Sequence, residues 1–262
     1  LDSKVNLDQV YAYGWTTPTS NELNRYYTGG DERLHAFIVD NMLQAEFFTG
    51  ATKHTVLMGA DYQRRKTVVD WTSGGLTPIN AFNPVYGNAA IDLYGQTSYL
   101  RRLEQTGVYL QDLIEMDKWR FSLGLRQDWV ETSDETRIAE AGRPAGTEIN
   151  DRRTKLTGRA GALYLFDTGL APYISYSTSF DPLLGTDYQG DTFIPVESRQ
   201  TEVGIKYHPD NSSTLLSAAV FQLNQTNVKT SDADHLGFSN QAGEVRIRGL
   251  DLQATTEIAE NT

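Results

Sequence analysis

The chain has 262 residues, no cysteine, and 23 Lys+Arg against 34 Asp+Glu, for a formal net charge of −11. That length suits one large all-β domain or two ordinary domains. The acidic balance argues against nucleic acid as a partner, and the lack of cysteine excludes disulfides and thiolate metal sites. Mean hydropathy is −0.46, and no stretch approaches the roughly 18 consecutive apolar residues of a transmembrane helix. A transmembrane β-barrel escapes that test, because only alternate residues of each strand face lipid. Leu1 opens no leader-peptide pattern of charged, apolar and small residues, and the content that follows predicts a piece of something longer.

Taken in chain order, Ala36–Phe48, His54–Val69, Trp119–Asp134, Leu215–Lys229 and Gly243–Ile258 read as strands of more than ten residues. Soluble strands usually run about 5–6 residues, whereas membrane strands need about 9–11. The clearest alternation lies in the third of these. Phe121, Leu123, Leu125 and Trp129 fall on one face, and Arg120, Ser122, Gly124, Arg126 and Asp128 on the other. Val203, Ile205 and Tyr207 oppose Glu202, Gly204 and Lys206 in the same way, and Leu215 to Asn224 alternates less cleanly. In the last strand Arg246 and Arg248 alternate with Val245 and Ile247, but beyond Gly249 the apolar phase passes to Leu250, Leu252 and Ala254. A one-residue phase change at a glycine predicts a β-bulge. The two arginines are expected to face a lumen and to pair with carboxylates.

Connector lengths alternate. Short turns are expected at Thr49–Lys53, Met116–Lys118, Asp167–Gly169 and Pro209–Ser213, with long polar connections near Trp71–Arg101, Glu135–Arg152, Asp181–Ser198 and Ser231–Ala242. Tight periplasmic turns and extended outer loops produce that order in a membrane barrel. Trp119, Trp129, Tyr164, Phe166, Tyr173, Phe180 and Tyr207 sit toward strand ends, where interfacial girdles belong. The fold class expected is all-β: an antiparallel transmembrane β-barrel segment of about ten long strands, residues 1–262 forming one partial barrel domain.

Several phrases in order resemble TonB-dependent outer-membrane siderophore receptors of the ferrichrome and hydroxamate branch. They are Gln105-Thr-Gly-Val-Tyr-Leu-Gln-Asp112, Leu123-Gly-Leu-Arg-Gln-Asp128, the run from Leu165 to Pro182, Glu202-Val-Gly-Ile-Lys-Tyr207 and Val245-Arg-Ile-Arg-Gly-Leu-Asp-Leu252. Tyr11-Ala-Tyr-Gly-Trp15 and Phe82-Asn-Pro-Val85 look similar to that branch as well. The resemblance implies a barrel of about 22 strands with a plugged lumen, located in the bacterial outer membrane. It also implies import of ferric siderophores energised by the TonB–ExbB–ExbD system. No plug domain, TonB-contacting segment or closing strand is found, so the chain is expected to cover the middle portion of such a barrel, under half of it.

A ferric siderophore brings its own iron ligands, so no cofactor is expected and the receptor need only cradle an organic complex with polar-tipped aromatic rings. The siderophore-binding candidates are Tyr11, Tyr13, Trp15, Trp71, Phe82 and Tyr86. By the resemblance, Tyr11 and Tyr13 match a tyrosine pair near the ligand, and Trp71 an aromatic on a loop that reaches inward. Direct metal binding is not expected: His35, His54, His208 and His235 are far apart and read as turn or loop histidines. Enzymatic function is not expected either, since no Gly-x-Ser-x-Gly elbow or phosphate cradle is present. Outer-membrane lipid and lipopolysaccharide are implied neighbours, and the long loops offer a phage or bacteriocin a surface. Two other readings stay open: a TonB-dependent receptor for another cargo, and a soluble or surface β-protein binding glycans or partners.

Overall fold

The computed structural model describes residues 1–87, 90–139, 143–209, 212–235, 238–241 and 243–256; the end of the expected strand Gly243–Ile258 lies outside them. Among the described residues there is no helix. Ten long strands form one antiparallel sheet: β1 (Asp2–Trp15), β2 (Glu22–Thr49), β3 (Thr52–Asn80), β4 (Ile91–Met116), β5 (Trp119–Thr136), β6 (Glu148–Tyr164), β7 (Leu170–Asp181), β8 (Val196–Tyr207), β9 (Leu215–Thr226) and β12 (Glu244–Thr255). Each pairs with its neighbour in sequence, and a two-stranded hairpin, β10 (Lys229–Ser231) and β11 (Ser239–Gln241), is inserted between β9 and β12. The chain divides into two compact units. One comprises Leu1–Ile38, Gln63–Glu104 and Glu131–Asp151; the other comprises Val39–Tyr62, Gln105–Val130 and Arg152–Thr262.

The expected short turns at Thr49–Lys53, Met116–Lys118 and Asp167–Gly169 occur, and part of the fourth, Pro209–Ser213, lies outside the described residues. The β4–β5 turn is two residues long, with Asp117 in the left-handed region at φ 49°, a conformation its short polar side chain tolerates. Three of the long connections are shorter than expected, because the strands run on, whereas the one between β9 and β12, residues 227–243, is longer and holds the β10–β11 hairpin. β2 and β3 have 28 and 29 residues, so β3 ends at Asn80 and β4 begins at Ile91. At about 3.4 Å per residue, 28 residues reach roughly 90 Å, far more than a bilayer requires. Trp71 therefore lies within strand β3 and not on a loop.

In the second unit the register shows what the two sheet faces are for. Ile174, Val203, Val220 and Leu250 lie directly across from one another over β7, β8, β9 and β12, and are 53, 49, 57 and 64% exposed. The row beneath is Pro172, Ile205, Ala218 and Leu252. Exposed apolar rows of this kind belong in lipid. On the same face, two residues further along each strand, stand Tyr176, Thr201, Gln222 and Arg248, where the apolar band ends.

That band edge corrects the bulge expected at Gly249. The β9–β12 ladder runs unbroken from Glu244↔Thr226 to Thr255↔Leu215. The phase change arises because one continuous face passes from apolar to polar surroundings. Arg246 and Arg248 thus share the face of Leu250 and Leu252 and do not face a lumen. Arg248 donates to Gln222 Oε1 at 2.9 Å, and Arg246 lies 3.6 Å from Glu244. Gly249 provides space instead: the Phe221 ring occupies the place where its Cβ would stand, 2.5 Å from Cζ.

The opposite face of the second unit is polar and closely paired. The Arg126 guanidinium donates to both oxygens of Asp61, at 2.5 and 3.0 Å, and to Asp128 at 2.7 to 3.0 Å. Gln105 adds a donor to Asp128 at 2.7 Å, which leaves that 1% exposed carboxylate satisfied. Gly107 is required beneath this group, since a Cβ there would stand 2.0 Å from Arg126 Nη2.

The band edge is testable in the complete protein refolded into bilayers. Val220→Arg is expected to cost about 2–4 kcal/mol of folding stability, and Gln222→Arg, two residues further along the same face, no more than about 1 kcal/mol. Equal costs in denaturant titrations would place the edge elsewhere.

Candidate functional site

The first unit carries a cluster of aromatic side chains whose arrangement follows from strand pairing. Tyr11 of β1 stands directly opposite Tyr26 of β2, with ring centroids 5.3 Å apart. Tyr26 is in turn 6.3 Å from Tyr94 of β4, whose ring lies against Gly75 of β3. Opposed residues of an antiparallel pair point to the same face, so these three rings form one row. Tyr13 joins that face by the period of two.

Trp71 reaches the same face by a separate route. Its indole N–H donates to Glu32 Oε1 at 3.1 Å, and its ring packs flat against Gly30, 3.4 Å from where a Cβ would be. The β1–β2 register is unbroken from His35 to Asn24, so Glu32, Gly30 and Tyr26 alternate onto one side of β2. Tyr11, Tyr13 and Trp71 are therefore brought to one face. On the other side of β2, Asp31 is the hub of an ion cluster with Arg33 at 2.9 Å and Lys4 at 3.3 Å. The Arg33 hydrogen bond, reinforced by Lys4 and Asn6, outweighs partial burial and holds the Asp31 carboxyl below the usual carboxylate range.

The other three candidates are placed differently. Between Tyr13 and Trp15 the register shifts by one residue, with Gly14 in the left-handed region at φ 55°. A one-residue slip turns every later side chain to the opposite face, so Trp15 pairs with Leu23 and points away from Tyr13. Tyr86 lines a cavity of about 500 Å³ with Tyr11, Val10, Ala12, Leu23, Arg25 and Leu76. Apart from Tyr11, the β1 and β2 members of that lining belong to the Trp15 side of the sheet. Phe82 is 77% exposed at the start of the β3–β4 connection, where its N–H donates to Asn80 Oδ1 at 3.0 Å.

Tyr26, Tyr94 and Glu32 complete the cluster and were missed from sequence. The strand was expected to begin at Ala36, which left residues 22–35 without a strand partner, and Tyr94 fell inside an expected loop. The Tyr26-Tyr27 and Gly29-Gly30 doublets facing Tyr11 were the signal available. Two histidines also differ from expectation. His35 and His54 lie in strands and not in turns, held by cross-strand carboxylates: Asp2 at 2.5 Å and Asp112 at 2.8 Å. Among the described residues no group of three or more His, Asp or Glu side chains is placed to hold a metal ion. The cluster offers flat rings with tyrosine hydroxyl tips, suited to embracing a bulky organic complex and donating a few hydrogen bonds to it, while the Trp71 N–H is taken by Glu32.

The family described as TonB dependent receptor-like, beta-barrel matches residues 2–258. The chain is 39% identical over its full length to the ferrioxamine B receptor of Salmonella typhimurium, covering 36% of that receptor. It is 33% identical over 98% of its length to the ferrichrome outer membrane transporter/phage receptor of Escherichia coli K12, covering 37% of it. The chain thus spans little more than a third of the curated relatives it matches. Its fold is similar to that of the ferric-catecholate import receptor Fiu of E. coli K12, with a TM-score of 0.74 at 19% identity over 99% of this chain and 42% of that one.

Glu32→Ala should release the indole by removing a hydrogen bond worth about 1 kcal/mol after solvent screening. Acrylamide quenching of Trp71, taken as the difference between proteins with and without Trp71→Phe, is then expected to increase. Unchanged quenching would show that Gly30 alone holds the ring.

Proposed function

The chain belongs to the TonB-dependent receptor-like β-barrel family, and from that premise we propose that it is the central part of an outer-membrane receptor importing ferric hydroxamate siderophores. The observation that carries this reading is the shared face of Tyr11, Tyr13, Tyr26 and Trp71, built on strands that extend well past the length a bilayer needs. Hydroxamate ligands are favoured as the cargo class because the ferrioxamine B receptor and the ferrichrome transporter are the named relatives at 39 and 33% identity. The protein is a receptor and not an enzyme, and the iron enters as cargo within its siderophore.

In this reading Tyr11, Tyr13, Tyr26 and Trp71 form the ligand-facing wall. Trp15 and Tyr86 support the wall from its other side, and Phe82 lies at the rim. Energy comes from TonB, ExbB and ExbD acting through parts of the complete protein outside this chain. Among the described residues, β1 and β12 each pair on one side only. Lipid does not tolerate such unpaired edges, so further strands close them. The band of Val203, Val220 and Leu250 faces membrane lipid and lipopolysaccharide. The long connections on the opposite side from the short turns offer a docking surface to a phage or bacteriocin.

The complete protein, purified in detergent, should quench its tryptophan emission on titration with ferrioxamine B or ferrichrome. Tyr11→Ala and Trp71→Ala are each expected to weaken binding by roughly tenfold, the cost of losing one buried aromatic anchor of about 1.4 kcal/mol. Phe82→Ala should change it little. Failure of both hydroxamates to bind, with tight binding of a ferric catecholate, would reassign the cargo.

A further inference from the structure

The connection before β8 and the connection after β9 leave the sheet side by side, because those strands pair from Glu197↔Thr226 onward. Each connection is a small hairpin in its own right. In the first, Thr186 bridges Thr192, the Gly190 N–H donates to the Asp187 carbonyl, and Phe193 is buried to 4% exposure. In the second, β10 pairs with β11, and Asp232 Oδ1 accepts the N–H groups of Asp234 and His235 to form the turn.

Side chains then join the two hairpins from root to tip. At the root, the Asn227 side-chain amide donates to the Pro195 carbonyl at 3.0 Å, from a residue held at φ 60°. Next, Gln241 acts as a backbone mimic: its Oε1 accepts the Ile194 N–H at 2.8 Å, while its Nε2 donates to the Ile194 carbonyl at 2.6 Å and to the Asn227 carbonyl at 2.7 Å. The Lys229 ammonium sits 4.3 Å from the centre of the Phe193 ring. At the tip, the Tyr188 ring stacks on His235 with centroids 3.6 Å apart and planes 14° from parallel, and Phe238 meets Tyr188 edge-on at 5.2 Å. Asp232 Oδ2 holds the imidazole Nδ1 at 3.0 Å.

We infer that these side chains lock the two connections into one panel, so that a molecule displacing either hairpin displaces both. Among the described residues, hydrogen bonds and stacked rings are spread from the root of the two hairpins to their tips and hold one against the other. Two separate loops would each pay their own ordering entropy on meeting a ligand. A preassembled panel presents a single surface and transmits movement at one end to the other, as a packed two-state element does. This inference rests on the hairpin contacts alone and is independent of the cargo.

Amide hydrogen exchange of the complete protein in detergent tests it, because the panel predicts an effect on the loop that was not altered. Gln241→Ala, in the second connection, is expected to raise exchange about tenfold across residues 185–194 of the first, with the β8 and β9 ladder unchanged. Tyr188→Ala should do the reverse, exposing residues 229–235, while Tyr188→Phe keeps the stack and leaves both hairpins protected. Exchange that rises only within the substituted hairpin, in both alanine variants, would overturn the panel.

Discussion

Everything in this molecule depends on one constraint: a backbone group facing hydrocarbon must find its hydrogen bond within the protein. A sheet meets that demand with neighbouring strands alone. It leaves side chains free to alternate between a face that dissolves in lipid and a face that carries charge. The ladder from β7 to β12 through Ile174, Val203, Val220 and Leu250 is that solution in residues. Opposite those rows, carboxylates such as Asp61 and Asp128 are tolerated because Arg126 lies between them with its donors directed at both. Glycine at 107 and 249 lets an arginine and a phenylalanine lie where a side chain would otherwise stand.

The same pairing that satisfies the backbone also builds the candidate site. Because the ladder is not restricted to the bilayer, β2 and β3 continue as paired strands for many residues beyond what a membrane crossing requires. A rigid, twisted sheet is a better support for a binding surface than a loose loop, since its register fixes which rings share a face. Tyr11 and Tyr26 meet because their positions are opposed, and Trp15 is excluded because Gly14 inserts one residue. A single backbone irregularity thus separates residues that stand two apart in sequence. The hairpins before β8 and after β9 show a different solution, in which amide and aromatic side chains supply the order that a ladder supplies elsewhere.

Much of the architecture was legible in the sequence. Alternation at Phe121–Trp129 and at Val203–Tyr207 marked the strands, and the short turns before β3, β5 and β7 fell where polar residues interrupt it. The ordered motifs from Gln105 to Leu252 pointed to the family that residues 2–258 match. What escaped the reading was whatever depends on cross-strand partners. Period two weakens outside the bilayer, where both faces are wet, so the strands appeared to stop near Val69 and to start near Ala36. At Gly249 a change of solvent along one face looked identical to a bulge, because both shift the apolar phase by one residue. For the candidate site, residue type offered Tyr11, Tyr13, Trp15, Trp71, Phe82 and Tyr86 alike, and only the register could place Trp15 on the other face and bring Tyr26 and Tyr94 beside Tyr11.

The central claim is that the complete protein imports a ferric hydroxamate across the outer membrane. Uptake of radioactive iron by cells carrying or lacking its gene tests that claim most directly, with the iron supplied as ferrioxamine B, as ferrichrome or as a ferric catecholate. The account predicts that deletion abolishes uptake from at least one hydroxamate complex and spares the catecholate, and that loss of TonB has the same effect on that hydroxamate. Hydroxamate uptake unchanged by the deletion, in cells with no other hydroxamate receptor, would contradict it.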